Sequence, residues 1–227
     1  MLSIIEIYRS IQGESSFAGM PCTFVRLAGC NLRCTWCDSE YTFTGGKKMS
    51  DDDIFAEVQR LSPNGLVEIT GGEPMLQERE LVPFMQRLID SGYEVLLETS
   101  GERPLATVPE QVHKIVDVKC PDSGEGDSFH LDNLAALTDR DEVKFVIASA
   151  RDYEFARDFT RQHKLDSKTG GVLFSPGFRK EATGSRDASH CLISPCQVAE
   201  QIVRDGLNVR LGLQIHKFIW DPATKGV

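Results

Sequence analysis

The sequence predicts an α/β protein with a mostly parallel sheet, on two observations. Short apolar strands alternate with amphipathic helices along the chain, and parallel neighbours need a crossover that a helix supplies. Polar, glycine-containing stretches follow several of the strands directly, which is where parallel α/β folds place their ligands. The alternation leaves two architectures open, a doubly wound sheet and a partly closed β/α barrel.

Seven apolar runs have the length and spacing of strands. The first alternates, with Thr23, Val25 and Leu27 on one face, as a strand of period two requires. The next three runs each end in a polar stretch. These stretches are GGEP, ETSG and DVKCP, in chain order. The strands are predicted at residues 22–28, 65–70, 93–101, 114–119, 143–149, 171–176 and 209–216.

Five helices are predicted between the strands. Ser50 is a typical N-cap for the first helix, and Gly92 ends the second. Apolar residues recur at helical spacing between these points. The helices are predicted at residues 50–61, 77–90, 131–137, 151–163 and 195–205. No low-complexity tract, internal repeat or proline-rich linker divides the chain, so we expect one domain over residues 1–227, with a long mobile loop at 177–190.

The composition excludes several classes of function. The 227 residues are 41% hydrophobic, enough to bury a sizeable core. The formal net charge is -9 with dispersed Lys and Arg, so a nucleic acid partner is not expected. There is no run of eighteen apolar residues, and residues 1–14 lack the basic start and apolar run of a signal peptide. We therefore expect a cytoplasmic protein with no membrane partner.

Three of the seven cysteines, Cys30, Cys34 and Cys37, are spaced as CxxxCxxC. Disulfides are disfavoured in a chain without an export signal, so metal or cluster ligation accounts better for this group. Three thiolates cannot close a structural zinc site, but they can bind three irons of a 4Fe-4S cluster and leave the fourth iron open. The alternative is zinc with a distant fourth ligand, drawn from His163, His190, Cys191, Cys196 and His216.

The cysteine spacing resembles the CxxxCxxC motif of the radical S-adenosylmethionine (radical SAM) enzymes, with Trp36 before the last cysteine as is usual there. The sequence Gly71 to Pro74, GGEP, is similar to the segment that binds the methionine amino group in that superfamily, although in isolation it could be an ordinary turn. Glycines allow close approach to a ligand, and a carboxylate suits an ammonium. The resemblance implies an incomplete TIM-type barrel of the radical SAM type, with a 4Fe-4S cluster and S-adenosylmethionine that together supply a 5'-deoxyadenosyl radical.

Further segments narrow the resemblance to one family. The N-terminal IYRSIQGES resembles the sIQGEG segment of the 7-carboxy-7-deazaguanine synthases, and ITGGEP, LETSG, VKFVI, VLFSP and LQIHKFIWDP are similar to other segments of that family. The likeness runs from Glu6 to Val227. It implies ring contraction of 6-carboxy-5,6,7,8-tetrahydropterin to 7-carboxy-7-deazaguanine with loss of ammonia, in 7-deazapurine (queuosine) biosynthesis. It also implies Mg2+, a flavodoxin-type electron donor and a homodimer.

The same resemblance assigns residues to each ligand, and it needs no catalytic side chain because the cofactor supplies the radical. The cluster falls to Cys30, Cys34 and Cys37, and Mg2+ to Ser39, where the family usually has threonine. The S-adenosylmethionine contacts fall to Trp36, Cys37, Asp38, Gly71, Gly72, Glu73, Gly101, Asp117, Val118 and Lys119. The substrate contacts fall to Ile11, Gln12, Gly13, Glu14, Arg26, Thr99, Gln214 and His216.

Several of these assignments carry an alternative. Residues 117–119 are usually Ser-Pro-Lys in the family, and this chain shares only the lysine. Without the resemblance, Arg26 is a surface arginine on a strand and His216 a structural histidine. In some relatives the terminal carboxylate after a final proline binds the pterin. Here residues 223–227 continue past Pro222, so either another acid replaces that carboxylate or the tail folds back.

Two other functions share part of the pattern. An activating enzyme that places a glycyl radical on a partner protein would use the three cysteines and GGEP, but has no use for the IQGE segment or for Arg26. A non-catalytic zinc or iron-sulfur module would need neither GGEP nor a site at the strand ends.

Overall fold

The computed structural model describes residues 1–62, 65–180, 182–184 and 186–226. Within these ranges the chain forms one nine-stranded sheet and a set of flanking helices. The strands are β1 (Leu2–Ile11), β2 (Pro21–Leu27), β3 (Lys47–Met49), β4 (Leu66–Gly71), β5 (Glu94–Thr99), β6 (His113–Asp117), β7 (Glu142–Ile147), β8 (Gly171–Pro176) and β9 (Arg210–Leu211). The helices are α1 (Asp51–Leu61), α2 (Glu78–Asp90), α3 (Asn133–Ala136), α4 (Ala150–His163), α5 (Leu165–Lys168), α6 (Pro195–Asp205) and α7 (His216–Ile219).

The strand order decides between the two predicted architectures. It runs β3-β1-β2-β4-β5-β6-β7-β8-β9, and every pair from β2 to β9 is parallel. A doubly wound sheet reverses its strand order at a switch point, whereas here the parallel strands from β4 to β9 follow β2 in chain order toward one edge. The sheet is therefore an open, partial β/α barrel, as predicted. Strand β1 pairs antiparallel with both β2 and β3 at one edge.

The main hydrophobic core lies between the outer face of the sheet and the helices. Strand residues that point outward, such as Val67 and Ile69, pack there against the apolar stripes of the helices. The ring of Phe145 makes edge contacts with those of Phe159 and Phe174 at 5.8 Å and 5.6 Å between centroids. Edge-to-face pairs of this kind add to the stability from burial. This layer holds the strands in the curvature that forms the barrel.

The inner face of the barrel changes character along the strands. Near the amino ends it holds a small apolar cluster of Cys22, Phe24, Leu66, Leu96 and Ile115. Successive inward positions are two residues apart, and the next ones along these rows are charged. They are Arg26, Glu68, Glu98 and Asp117, joined by Lys144 on β7. The barrel is thus packed at one end and polar at the other.

The structure differs from the sequence prediction at both ends of the chain. The predicted strand at 209–216 is wrong in extent: only Arg210–Leu211 pairs with β8, and the chain is helical from His216. It leaves the sheet because the amide of Ile215 donates to the carbonyl oxygen of Gly13 (2.9 Å). Strands β1 and β3 were not predicted, since β1 lies in the segment interpreted as a ligand motif.

The stretch expected to be a mobile loop, 177–190, has local structure. Phe178 bridges to Cys191, and Ala188–His190 forms a 3₁₀ turn. Glu181 and Ser185 lie outside the described residues. Elsewhere in the described ranges, no helix has the length and apolar character needed to cross a bilayer.

Candidate active site

A cavity of about 380 Å³ opens at the carboxyl ends of the parallel strands. It gathers most of the residues that the sequence assigned to ligands, from segments spread over the whole chain. Those that line it are Ile11, Gln12, Gly13, Glu14, Arg26, Cys30, Cys34, Trp36, Cys37, Asp38, Ser39, Gly71, Gly72, Thr99, Asp117, Lys119, Gln214 and His216. Three assigned residues, Glu73, Gly101 and Val118, are not in the lining.

The three cysteines of the motif lie on the loop that follows β2, and all three face the cavity. Two backbone hydrogen bonds hold the loop. The amide of Gly29 donates to the carbonyl oxygen of Thr42 (2.7 Å) and closes it, and the amide of Thr35, between the cysteines, donates to the carbonyl oxygen of Ser123 (3.0 Å). Burial raises the pKa of the Cys34 thiol to about 11, against the opposing effect of the Lys119 ammonium. The thiols are thus partly desolvated.

The donor set fits a cluster better than a single ion. In the parts of the chain that the structure describes, no three His, Cys, Asp or Glu side chains are gathered closely enough to hold one metal ion. A 4Fe-4S cluster spreads its thiolates over separate irons, so it does not need them to meet at one point. Of the fourth zinc ligands considered above, His163 packs its ring on Phe159 and Cys196 is exposed on α6.

The GGEP turn is packed directly against the cysteine loop. A Cβ atom on Gly72 would lie 2.2 Å from the carbonyl oxygen of Gly29, and one on Gly71 would lie 2.4 Å from that of Leu27. Gly71 also has φ of +156°, at the edge of the region that favours glycine. The two glycines are therefore required where β4 meets the end of β2, because no side chain fits between the two backbones.

The Glu73 carboxylate is fully buried and engaged within the protein. One oxygen accepts from the amide of Met75 (3.0 Å) and the hydroxyl of Thr99 (2.7 Å). The other accepts from the amide and hydroxyl of Ser100 (2.8 Å and 2.6 Å). All four of these hydrogen bonds are internal to the protein, and a contact of the carboxylate with a bound ammonium remains a prediction. Its role in the structure is to fix the end of β5 against the GGEP turn.

Gly101 and Val118 also have packing roles. A Cβ on Gly101 would lie 2.8 Å from both the Phe129 ring and Val116, and its φ is +67°. Val118 is buried, and its amide donates to the carbonyl oxygen of Lys144 (2.9 Å). Neither residue reaches the cavity through its side chain, so any contact with a cofactor would come through neighbouring backbone.

Gln12 holds the segment that follows β1. Its Oε1 accepts from the amides of Glu14 (2.6 Å) and Ser15 (3.1 Å), and its Nε2 donates to the carboxylate of Glu68 (2.9 Å). The residue is only 3% exposed. Both ends of the amide therefore make hydrogen bonds inside the protein, and a contact of Gln12 with a pterin edge remains a prediction.

A single buried ammonium organises the floor of the cavity. Lys144 Nζ lies 2.7 Å from Glu14 Oε2, 2.5 Å from Glu98 Oε1 and 3.8 Å from Asp117 Oδ2. The Lys144 side chain is 4% exposed. The other oxygen of Glu14 accepts from Gln214 Nε2 (2.8 Å). Burial would raise the pKa of Glu14, but the Lys144 ammonium outweighs it and the pKa is lowered to about 2.

Glu68 has the opposite character from Glu14. Burial raises its pKa to about 8, and the neighbouring carboxylates of Glu98 and Glu14 act in the same direction. Its hydrogen bond from Gln12 only partly offsets this. At neutral pH Glu68 is therefore mostly a neutral carboxylic acid, beside the ionised carboxylate of Glu14.

A second buried ion pair faces the cysteines. Lys119 Nζ lies 2.8 Å from Asp117 Oδ2. Burial opposes the charge on Lys119, but the Asp117 carboxylate more than compensates, so the pKa of the ammonium is raised. The lysine that this chain shares with the Ser-Pro-Lys pattern thus stays charged next to the site of the thiols.

Arg26 is on the inner face of the barrel and not on the protein surface. Its Nε donates to Glu6 Oε1 (2.8 Å) and its Nη2 to the phenol oxygen of Tyr8 (2.7 Å). The hydroxyl of Tyr41 donates to the same Glu6 oxygen (2.9 Å). Arg26, Glu6, Tyr8 and Tyr41 form a cluster that we call the arginine end of the cavity.

The C-terminal segment closes the gap between the last strand and the cysteine loop. Lys217 Nζ lies 2.5 Å from Asp38 Oδ2, and the Ser39 hydroxyl donates to Asp38 Oδ1 (2.8 Å). His216 sits against Gly13, where a Cβ would lie 2.1 Å from its Nδ1. The tail then folds back, since residues 222–226 line the cavity. Val227 is outside the described residues.

Sequence reasoning missed part of the cavity wall. Glu68, Glu98 and Lys144 all line it, and each is a single charged residue inside an otherwise apolar strand, as in LVEIT, VLLET and VKFVI. Charge in a buried parallel strand is costly unless it is paired or faces a ligand. That signal was available in the sequence. Lys217 and Tyr8 had no comparable pattern.

Comparisons with known proteins agree with this geometry. The radical SAM superfamily matches residues 25–132, which span the cysteine loop and the GGEP turn. The chain is 70% identical to 7-carboxy-7-deazaguanine synthase of Koribacter versatilis over 100% of both chains. It is 41% identical to the enzyme of the same name from Chlorobaculum tepidum, over 100% of this chain and 97% of the relative. The solved structure of QueE from Escherichia coli has the same fold, with a TM-score of 0.71 at 24% identity over 93% of each chain.

We predict that Gly72→Ala displaces the cysteine loop. The added Cβ would meet Gly29 and Cys30 at less than 3 Å, so the free energy of unfolding should fall by about 1–3 kcal/mol. The iron bound after anaerobic reconstitution should fall as well. Gly171→Ala is the matched control, because its Cβ has an ordinary 3.9 Å contact with Glu142. Wild-type iron content in the Gly72 variant would show that the loop tolerates the clash.

We predict that Glu68 makes stability depend on pH. Its pKa is raised from 4.5 to about 8 by folding, so its favourable contribution is complete below pH 4.5 and is lost as the pH rises to about 8. Glu68→Gln removes this dependence. The stability of the variant relative to wild type, measured by urea unfolding, should therefore rise across that window and then level off. Glu94→Gln, at an exposed position, should show a constant difference. A constant difference for the Glu68 variant would contradict the assignment.

Proposed function

The chain belongs to the 7-carboxy-7-deazaguanine synthase family, and from this premise we propose that it converts 6-carboxy-5,6,7,8-tetrahydropterin to 7-carboxy-7-deazaguanine with loss of ammonia, in 7-deazapurine biosynthesis. One observation supports the proposal above the others. The cysteine loop, the GGEP turn and the residues assigned to the substrate line one cavity, although they are up to about 200 positions apart in the chain.

The cysteine loop and its neighbours would hold the cofactors. Cys30, Cys34 and Cys37 would bind a 4Fe-4S cluster, which with S-adenosylmethionine supplies the one-electron chemistry of the ring contraction. The remaining S-adenosylmethionine contacts are proposed for Trp36 and Asp38 on that loop, for Gly71, Gly72 and Glu73 at the GGEP turn, and for Gly101, Asp117, Val118 and Lys119. Among these, Glu73, Gly101 and Val118 would act by positioning their neighbours, since they do not line the cavity.

The floor of the cavity suits the aminopyrimidinone edge of a pterin. That edge presents N–H donors, and the ionised carboxylate of Glu14 is held in place to accept from them by Lys144 and Gln214. Gln12 orients Glu14 by accepting a hydrogen bond from its backbone amide. Ile11, Gly13, Thr99 and His216 would complete this part of the wall, and Arg26 would face the substrate from the arginine end.

Ser39 is the proposed protein ligand for Mg2+. Ser39 lines the cavity, and its hydroxyl donates a hydrogen bond to the Asp38 carboxylate. Mg2+ is commonly held by few protein ligands and keeps water or substrate oxygens for the rest. One hydroxyl on the cysteine loop therefore fits a metal that the substrate itself helps to bind.

The biological setting is proposed on the same basis. The cytoplasm suits the proposed chemistry, because the cluster needs a flavodoxin-type electron donor and the thiols must stay reduced. We propose that residues 1–227 act as one radical SAM domain and that the enzyme is a homodimer. A glycyl radical activating enzyme fits less well, since the charged floor is buried and suits a small molecule more than a peptide.

The proposal predicts a defined product. The protein is reconstituted anaerobically with iron and sulfide, reduced, and then incubated with S-adenosylmethionine, Mg2+ and 6-carboxytetrahydropterin. It should form 7-carboxy-7-deazaguanine, detected by mass spectrometry. Omission of the pterin is the control. If the cluster is present and S-adenosylmethionine is cleaved but no deazaguanine forms, the assigned substrate is wrong.

The cluster assignment predicts different effects for two cysteine substitutions. Cys34→Ala should abolish cluster binding, because one of the three proposed cluster ligands is lost. Cys191→Ala should leave the iron content unchanged. Cys191 is buried against Phe178 and Ala182 and is not among the residues that line the cavity. Iron quantification and the visible absorption of the reconstituted proteins decide the point. Loss of iron from the Cys191 variant would move the cluster to another site.

A further inference from the structure

The C-terminal tail meets the arginine end of the cavity. Lys225 Nζ lies 4.2 Å from the centroid of the Tyr41 ring. The backbone of Gly226 passes close to Glu6 and Tyr8, since a Cβ placed there would be 3.9 Å from Glu6 Oε2 and 4.0 Å from the Tyr8 ring. The tail is thus seated on the same side chains that surround Arg26.

The tail brings excess positive charge to this end. The Arg26 guanidinium is already paired with Glu6, and burial raises the pKa of Tyr8 to about 12, so that phenol is neutral. Among the described residues Lys225 has no ion pair. Two cations against one carboxylate leave one net positive charge facing the cavity.

The opposite end of the cavity has the opposite character. Glu14, Glu98 and Asp117 surround Lys144 on the floor, and this end suits the N–H donors of a ligand. A molecule with donors on one edge and a carboxylate on the other would therefore bind in one orientation. The proposed substrate has this distribution of charge, so the role of the tail in binding it rests on the proposed function.

We propose that Lys225 is a specificity-determining residue that, together with Arg26, binds the carboxylate of the pterin. The ammonium sits over the Tyr41 ring, a position that cation–π attraction stabilises. It requires no change in the core, since Lys225 is exposed on a tail. Removal of its charge should affect ligands with a carboxylate and spare those without one.

Equilibrium binding to the cluster-loaded enzyme without reductant tests this, because no turnover occurs. The probes are 6-carboxytetrahydropterin and tetrahydropterin, which lacks the carboxylate. Lys225→Ala should raise the dissociation constant of the first by about fivefold, as expected for a partly exposed ion pair. It should leave that of the second unchanged. Lys225→Arg should restore the wild-type value, and Lys168→Ala, an exposed lysine on α5, is the control.

Two results would overturn the inference. In one, Lys225→Ala binds both pterins more weakly by the same factor, which would mean that Lys225 contributes to binding without recognising the carboxylate. In the other, neither affinity changes. Failure of the proposed function gives a different pattern, since the wild-type enzyme would then bind neither pterin while still cleaving S-adenosylmethionine after reduction.

Discussion

The rest of the cavity depends on the ion pairs that the buried ammonium of Lys144 makes with Glu14 and Glu98. The ammonium connects Glu14, which follows β1, to Glu98 on β5 and lies close to Asp117 on β6. Three carboxylates in this largely buried floor would repel one another without it. With it, Glu14 stays ionised, its orientation is fixed, and the loop after β1 is attached to the middle of the barrel.

The arrangement of side chains at the carboxyl end of the barrel explains why the proposed cofactor and substrate sites are adjacent. Along the inward face, apolar side chains near the amino ends of the strands give way to charged ones near the carboxyl ends. The barrel is therefore packed at its amino end and contains the cavity at its carboxyl end. At the rim, Gly71 and Gly72 let β4 approach the cysteine loop without an intervening side chain. The C-terminal segment completes the wall through its contacts with Glu14 and Asp38. The cavity is thus assembled from both ends of the chain.

The sequence predicted the parts of this arrangement that depend on local pattern. The alternation of strands and helices predicted a mostly parallel α/β sheet, the family resemblance chose the barrel, and the CxxxCxxC and GGEP segments located the loop and turn at its rim. What it could not give was which partner each side chain takes. For Gln12 and Glu73, which the resemblance assigned to ligands, the structure adds hydrogen bonds to Glu68 and to Thr99 and Ser100 that the sequence did not predict. Such choices depend on distances between distant segments, which periodicity does not encode. The strand predicted up to His216 failed for the same reason, since a contact with Gly13 ends it.

We propose that the pterin binds with its donor edge on the Glu14 carboxylate that Lys144 holds. The direct measurement is a crystal structure of the cluster-loaded enzyme with S-adenosylmethionine and 6-carboxytetrahydropterin. We expect hydrogen bonds from the aminopyrimidinone edge to Glu14, with Lys144 still bonded to Glu14 and Glu98. A pterin bound with that edge away from Glu14, or outside this cavity, would contradict the claim.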